Sequence, residues 1–134
     1  YPLDAGHSGV PPVYLRAATR NEPFQCTVAT VFPKPQAACM DAYLAELGRV
    51  MKGFGQVRRS GSMVLDLAYL AAGRVDAFWE RGMGAWDAAA GIVLLREAGA
   101  HIEALDGLPL LESGHLMAAA TPAIAEALRT ALHS

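Results

Sequence analysis

The sequence of 134 residues is poor in charge and has no long apolar run. Charged residues make up 18% of the chain, the net charge is -2, and Lys and Arg form no stripe interleaved with aromatic residues. This composition argues against a nucleic-acid-binding surface. Charged residues interrupt every apolar stretch before it reaches the roughly 18 residues of a membrane span. The first residues lack the basic and apolar regions of a signal peptide, so we expect a cytoplasmic protein that contacts neither membrane nor nucleic acid.

Cysteine is equally scarce. The two cysteines, Cys26 and Cys39, do not form a CxxC pair. We interpret them as reduced thiols, as expected in the cytoplasm, although a bridge between the two remains the alternative.

Apolar residues, by contrast, are abundant at 53% of the chain. A chain of this length suits one domain, since domains typically run to about 100–200 residues. So high an apolar content indicates either helices buried on most sides, as in a layered α/β fold, or apolar surface that a partner covers.

Hydrophobic periodicity predicts alternating strands and helices. Strands are predicted over 26–32, 56–59, 74–80, 101–105 and 115–119, and helices over 36–51, 62–72, 85–98 and from Thr121 onward. The helices over 62–72 and 85–98 are apolar almost all round, which predicts burial on nearly every side. In the helix over 36–51 the periodicity predicts an apolar face of Met40, Tyr43, Leu44, Leu47 and Met51 opposite a polar face of Asp41, Glu46 and Arg49.

Such alternation predicts an α/β layered domain, with a mixed sheet of about five or six strands flanked by helices on both faces. This domain is expected over residues 24–134. Residues 1–23 are rich in Gly, Pro and Ser, and are predicted to be an irregular lead-in or the cut end of something larger.

The segment Trp86-Asp87-Ala88-Ala89-Ala90-Gly91 places one acid at the start of an apolar helix. A carboxylate at that position has two common uses: it offsets the positive end of the helix dipole, or it binds a metal ion together with ligands from elsewhere. Spacing alone favours the dipole contact, because most acids at helix starts do no more than this.

Several segments together closely resemble the carboxy-terminal half of the inositol monophosphatase family. They are Thr30–Pro33, Arg58–Ser62, the helix Leu65–Gly73, Asp76–Glu80, Trp86–Gly91 and Glu97–Gly99. The element Trp-Asp-x-Ala-Ala-Gly after a strand that ends in Glu is the most specific of them. The resemblance runs from about Thr27 to the end of the chain and implies Mg2+-assisted hydrolysis of a small phosphate monoester.

The resemblance also implies roles for individual residues. Asp87 matches the family's metal-binding Asp, and Glu80 matches the position that accepts hydrogen bonds from substrate hydroxyls. The alternatives are a dipole contact for Asp87 and, for Glu80, an exposed strand-end acid paired with Arg81.

Gly61, Ser62 and Met63 match the segment that lines the substrate pocket, and the alternative for them is an ordinary Ser cap. Many relatives carry Ala where this chain has Met63, so a narrower pocket is expected.

The Gly-Glu-Glu and Asp-Pro-Ile-Asp-Gly-Thr segments, which supply most of the family's metal ligands, do not occur in this sequence. Because the chain also begins without Met, we expect it to be a fragment that is inactive without the missing amino-terminal half. The resemblance further implies a homodimer. The alternatives are a related phosphatase that acts on histidinol phosphate, fructose-1,6-bisphosphate or adenosine 3',5'-bisphosphate, and a non-catalytic binding or dimerisation module.

Overall fold

The computed structural model describes residues 2–3, 13–14, 16–33, 38–59, 62–81, 85–110 and 115–133, and gives the backbone alone for residues 2–3, 13–14, 63–64 and 85–90. Gly61 therefore lies outside the described residues, and so do the side chains of Met63 and Asp87. No helix in the described part of the chain is both long and apolar enough to cross a membrane.

Two short strands, β1 (Pro2–Leu3) and β2 (Val13–Tyr14), pair antiparallel with each other. The main sheet contains β3 (Thr27–Val31), β4 (Gln56–Arg58), β5 (Ala77–Arg81), β6 (His101–Ala104) and β7 (His115–Ala119). The helices are α1 (Met40–Gly53), α2 (Met63–Ala71), α3 (Ala85–Glu97) and α4 (Pro122–His133), with a short 3-10 helix at Pro23–Gln25.

The sheet is mixed, as predicted, with the strand order β4-β3-β5-β7-β6. β3 pairs parallel with both β4 and β5, whereas β7 runs antiparallel to β5 and to β6. From β3 the chain passes first to one side, to β4, and then back across β3 to β5. Because crossovers between parallel strands are right-handed, moves in opposite directions place α1 and α2 on opposite faces of the sheet.

The core is accordingly split into two layers. On one face, Val28 and Trp79 pack with residues of α1 and α4, among them Tyr43, Val50 and Leu128. On the other face, Ala29 and Phe78 pack with residues of α2 and α3, among them Leu67, Leu70 and Leu95. Neighbouring residues of one strand thus serve different layers, as the alternation of side chains along a strand requires.

The predicted faces of α1 are wrong in part. Glu46, assigned to the polar face, is buried at 2% exposure, whereas Leu44 and Met51, assigned to the apolar face, are exposed. The buried residues are Tyr43, Glu46 and Val50. They follow the helical period, but one of them is an acid whose burial depends on an ion pair with another element.

The expected burial of α2 and α3 on nearly every side is also incomplete. Leu65 of α2 is 41% exposed and Val93 of α3 is 60% exposed. The physical reason is that the sheet covers only one side of this helix pair, and the described residues place nothing over these two side chains.

Residues ahead of β3 attach to this layer. The Ala17 amide donates to the Ala98 carbonyl at 3.1 Å, and the Arg20 guanidinium donates to the buried Asp76 at 2.7 Å. Asp76 also accepts from the Thr27 amide at 2.8 Å. One buried carboxylate therefore ties the segment before β3 to the start of β5.

Candidate functional site

The parallel strands β3, β4 and β5 all end at the same edge of the sheet. Val31 at the end of β3 is opposite Glu80 in β5, and Ala29 is opposite Arg58 at the end of β4. From this edge the chain runs into α1 on one face of the sheet and into α2 and α3 on the other. In open α/β sheets the crevice between such diverging connections, outside the carboxyl ends of the strands, is where ligands bind.

Glu80 lies at this edge of the sheet, opposite the last residue of β3. It faces the same side of the sheet as Phe78, two residues earlier, and therefore the side of α2 and α3. Its side chain is largely buried, with 9% exposure. A strand-end acid that is exposed to solvent, the alternative considered for it, is not what the structure contains. A carboxylate is costly to bury at such a position, which makes Glu80 a candidate for binding chemistry.

Arg81, the residue considered as the pairing partner of Glu80, forms an ion pair with another acid. Arg81 points to the opposite face, where its Nε lies 3.1 and 3.2 Å from the two carboxylate oxygens of Glu46, and its Nη2 donates to the same group. This bidentate contact between the end of β5 and α1 was not predicted from the sequence. The signal was there, since Glu46 occupies a position three residues after Tyr43 and four before Val50, on the buried stripe of the helix.

Ser62 is the N-cap of α2, and its hydroxyl accepts a hydrogen bond from the Leu65 amide at 3.3 Å. The capping role proposed as the alternative is therefore present. The cap fixes the start of α2 next to the end of β4, and with it the positive end of the helix dipole at the crevice.

Asp87 is the third residue of α3, which begins four positions after the end of β5. The described backbone thus puts the first turn of a second helix at the same edge as Glu80. In the described part of the chain no group of three or more His, Cys, Asp or Glu side chains lies close enough to hold a metal ion. Carboxylate oxygens are the ligands that Mg2+ prefers, so the donors on this edge suit that ion as part of a larger ligand set.

Beside the ion pair of Glu46 and Arg81, the α1 side of the sheet also carries neutral hydroxyl groups. The hydroxyls of Thr30 and Tyr43 lie 2.7 Å apart in the core, and Thr30 donates to the Trp79 carbonyl at 3.1 Å. Burial raises the pKa of Tyr43 above its ordinary value of 10.0, so this phenol stays protonated at neutral pH. Trp79 stacks on Tyr43 with ring centroids 5.6 Å apart and is fully buried, so it belongs to the core.

Comparisons with known proteins cover the main sheet and all of its helices. The model of the inositol monophosphatase family matches residues 18–134. An inositol-1-monophosphatase of Rhizobium meliloti is 43% identical over 116 residues, which are 86% of this chain and 43% of that protein.

Solved structures agree with the sequence comparison. The structure of extragenic suppressor protein suhB from Bartonella henselae matches 90% of this chain and 46% of its own, with a TM-score of 0.82 and 36% identity. The inositol monophosphatase of Anabaena matches 88% of this chain and 48% of its own, with a TM-score of 0.79 and 37% identity. This chain thus spans less than half the length of each of these relatives.

Proposed function

Because this chain belongs to the inositol monophosphatase family, we propose that it forms the carboxy-terminal part of a Mg2+-dependent phosphatase that hydrolyses a small phosphate monoester such as inositol monophosphate. The observation that carries the proposal is the crevice at the carboxyl edge of β3 and β5, where a buried acid and the starts of α2 and α3 lie together. Helix N-termini favour an anionic group such as phosphate, and the acids favour a divalent cation beside it.

Asp87 is the proposed metal ligand of this chain. When bound, the metal supplies activation of a water molecule and stabilisation of negative charge on the phosphate. The chain's own contribution is to hold the Asp87 carboxylate at the first turn of α3. A contact with the dipole of that helix is compatible with metal binding, because the helix end would leave the outer lone pairs of the carboxylate for a metal.

The substrate's remaining groups are assigned to the residues around the metal. Glu80 accepts hydrogen bonds from substrate hydroxyls, which its buried position at the end of β5 supports. Gly61, Ser62 and Met63 form the wall at the start of α2, where the capping contact of Ser62 keeps the helix start in place. A small polyol, sugar or amino-alcohol phosphate fits this division of roles.

The proposed partner is the amino-terminal half of the same enzyme. Leu65 and Val93 expose apolar side chains on the helix pair that borders the crevice, and apolar surface there supports a covering layer. Two free thiols agree with a reducing, cytoplasmic location. A homodimer belongs to the same proposal, on the strength of the family resemblance.

The first test is assembly. A single carboxylate leaves most of the octahedral positions of Mg2+ to water, so this chain alone is expected to release no phosphate from inositol monophosphate in the presence of Mg2+. The assembled enzyme, meaning this chain together with an amino-terminal half, is expected to be active. Turnover by the purified chain alone would refute the division of ligands between the halves, and inactivity of both preparations would favour the non-catalytic module.

The second test is Asp87→Asn in the assembled enzyme, with Asp41→Asn as the matched control. Asp41 is also a first-turn acid, in α1, and is exposed. Each substitution removes a dipole contact worth about 0.3–1 kcal/mol, but only Asp87→Asn should raise the Mg2+ concentration needed for half-maximal rate and abolish most activity. If both variants keep the normal Mg2+ dependence and lose similar stability, Asp87 is a helix-start acid and the metal assignment is wrong.

A further inference from the structure

The end of β5 carries a buried ion pair that no step of the proposed reaction uses. The Glu46 side chain is 2% exposed and that of Arg81 is 18% exposed. Nε of Arg81 lies within 3.2 Å of both carboxylate oxygens, and Nη2 adds a further donor. A fork of this kind fixes direction as well as distance, so it holds the last residue of β5 against α1.

The ion pair lies next to the point where the pairing between β3 and β5 ends. The register between β3 and β5 ends with Val31 opposite Glu80, whereas Arg81 is opposite His115 of β7 on the other side. The pairing with β3 therefore does not include Arg81, the last residue of β5. Arg81 is held by β7 and by its side-chain contact with Glu46. Since consecutive residues of a strand face opposite sides, a rotation that released Arg81 from α1 would also turn the Glu80 carboxylate within the crevice.

We propose that Glu46 and Arg81 form a positioning pair that sets the direction of the Glu80 carboxylate toward the substrate. This inference rests on the proposed role of Glu80 in accepting bonds from substrate hydroxyls. The pair brings no net charge to the phosphate site, because the two charges cancel within it. It determines selectivity for hydroxylated substrates rather than the chemical step.

The test is a ratio of rates in the assembled enzyme. We compare kcat/KM for inositol monophosphate with kcat/KM for an aryl phosphate whose leaving group carries no hydroxyl. A displacement of about 1 Å at a positioned group can cost up to about 100-fold, and we expect Glu46→Gln and Arg81→Met to lower this ratio about 10-fold, mainly through KM of the inositol substrate. Arg81→Lys should restore part of the ratio, because it keeps the charge and loses the fork.

The ratio is insensitive to the fraction of folded enzyme, so a merely structural pair would leave it unchanged. Glu103→Gln is the matched control: it breaks the ion pair of Glu103 with Arg129, which holds the edge strand β6 against α4, and should leave the ratio at the wild-type value. If the single variants fail to fold, the double variant Glu46→Leu/Arg81→Leu replaces the pair by apolar side chains, a change that proteins often tolerate.

Glu80→Gln separates the two ways in which the inference can fail. If Glu80→Gln lowers the ratio but no variant of Glu46 or Arg81 does, the positioning pair is overturned and the proposed function stands. If Glu80→Gln itself leaves the ratio unchanged, the hydroxyl-binding role of Glu80 is wrong and the inference falls with it. A lowered ratio in Glu80→Gln, Glu46→Gln and Arg81→Met, with partial recovery in Arg81→Lys, is the result we expect.

Discussion

The close approach of α2 and α3 yields a sharp stability prediction at Gly91, the last residue of the Trp-Asp-x-Ala-Ala-Gly element. A Cβ atom placed on Gly91 would lie 2.2 Å from Cδ1 of Leu67 and 3.3 Å from its Cβ and Cγ atoms. Carbon atoms pack at about 3.5–4.0 Å, so Gly91→Ala forces the Leu67 side chain to move by more than about 1 Å.

Leu67 has little room for that movement. It is buried and packs with Leu70, Phe78 and Leu95 in the layer between the sheet and the helix pair. Overpacking of this kind costs about 1–3 kcal/mol, and the better helix propensity of Ala returns about 1 kcal/mol. We expect a net loss of up to about 2 kcal/mol in the free energy of unfolding, which lowers Tm by up to roughly 8 °C in a chain of this size.

Gly48→Ala provides the matched control, because it is the same substitution in another helix. A Cβ on Gly48 of α1 meets nothing within 4 Å, so this variant should gain up to about 1 kcal/mol from helix propensity. On a Leu67→Ala background the effect of Gly91→Ala should change from a loss to a gain, since the clashing Cδ1 and the Cγ atom are gone and only the Cβ atom at 3.3 Å remains. Urea and thermal unfolding followed by circular dichroism measure all four variants. Equal gains for Gly48→Ala and Gly91→Ala in the wild-type background would refute the packing explanation.

Three further predictions concern buried and paired groups. Burial raises the pKa of the Cys26 thiol to about 11, so at pH 8 Cys26 should react with a maleimide far more slowly than the partly exposed Cys39; equal rates, followed by mass spectrometry, would contradict this. The hydrogen bond from Arg129 holds the pKa of Glu103 below its ordinary value of 4.5, so this carboxylate stabilises the fold above pH 4.5 and loses that contribution as the pH falls through its lowered pKa. Glu103→Gln should therefore flatten the acid side of a curve of Tm against pH. An unchanged acid side would argue against the ion pair. Asp76→Asn should cost about 1.5–3 kcal/mol in urea unfolding, because it weakens charge-assisted bonds to one guanidinium and one backbone amide; a loss below about 0.5 kcal/mol, the usual limit for a surface substitution, would show that Asp76 does not fasten the strands.

The strands and helices of the main domain were predictable because their signals are local. The β-branched run before Pro33 indicates a buried strand, and Thr121-Pro122 marks the start of the last helix, where the Thr121 hydroxyl accepts from the Ile124 amide at 3.2 Å. The predicted start of β5 was three residues too early. Gly73, at φ +79°, and the bonds from Gly73 N to Leu70 O and from Arg74 N to Tyr69 O form a capping turn that follows α2 and ends at Arg74, so the strand begins only at Ala77.

The periodicity of α1 places Glu46 on the buried stripe, but it does not identify the partner that allows an acid to be buried there. An acid on a helix is ordinarily assigned to the solvent side, and its partner Arg81 lies 35 positions away on another element. The strand order was likewise not predictable, because no local signal in β3 indicates that β4 and β5 will flank it. The roles proposed for residues at the crevice came from the family resemblance. The sheet topology, which no local signal predicts, brings the ends of the strands together at one edge.

The alternation of β5 gives the two sides of one short strand different surroundings. Trp79 and Arg81 face α1, where stacking on Tyr43 and the ion pair with Glu46 anchor the strand. Phe78 faces the other helix layer, and Glu80, on the same side, lies where that layer gives way to the crevice. If Glu80 has its proposed role, a substitution on the α1 side affects substrate recognition through the backbone of β5. Its effect should grow toward the end of the strand, where the pairing with β3 has ended. Perturbing Arg81 should for this reason change substrate preference more than perturbing Trp79, although Trp79 is the more deeply buried and its loss should cost more stability.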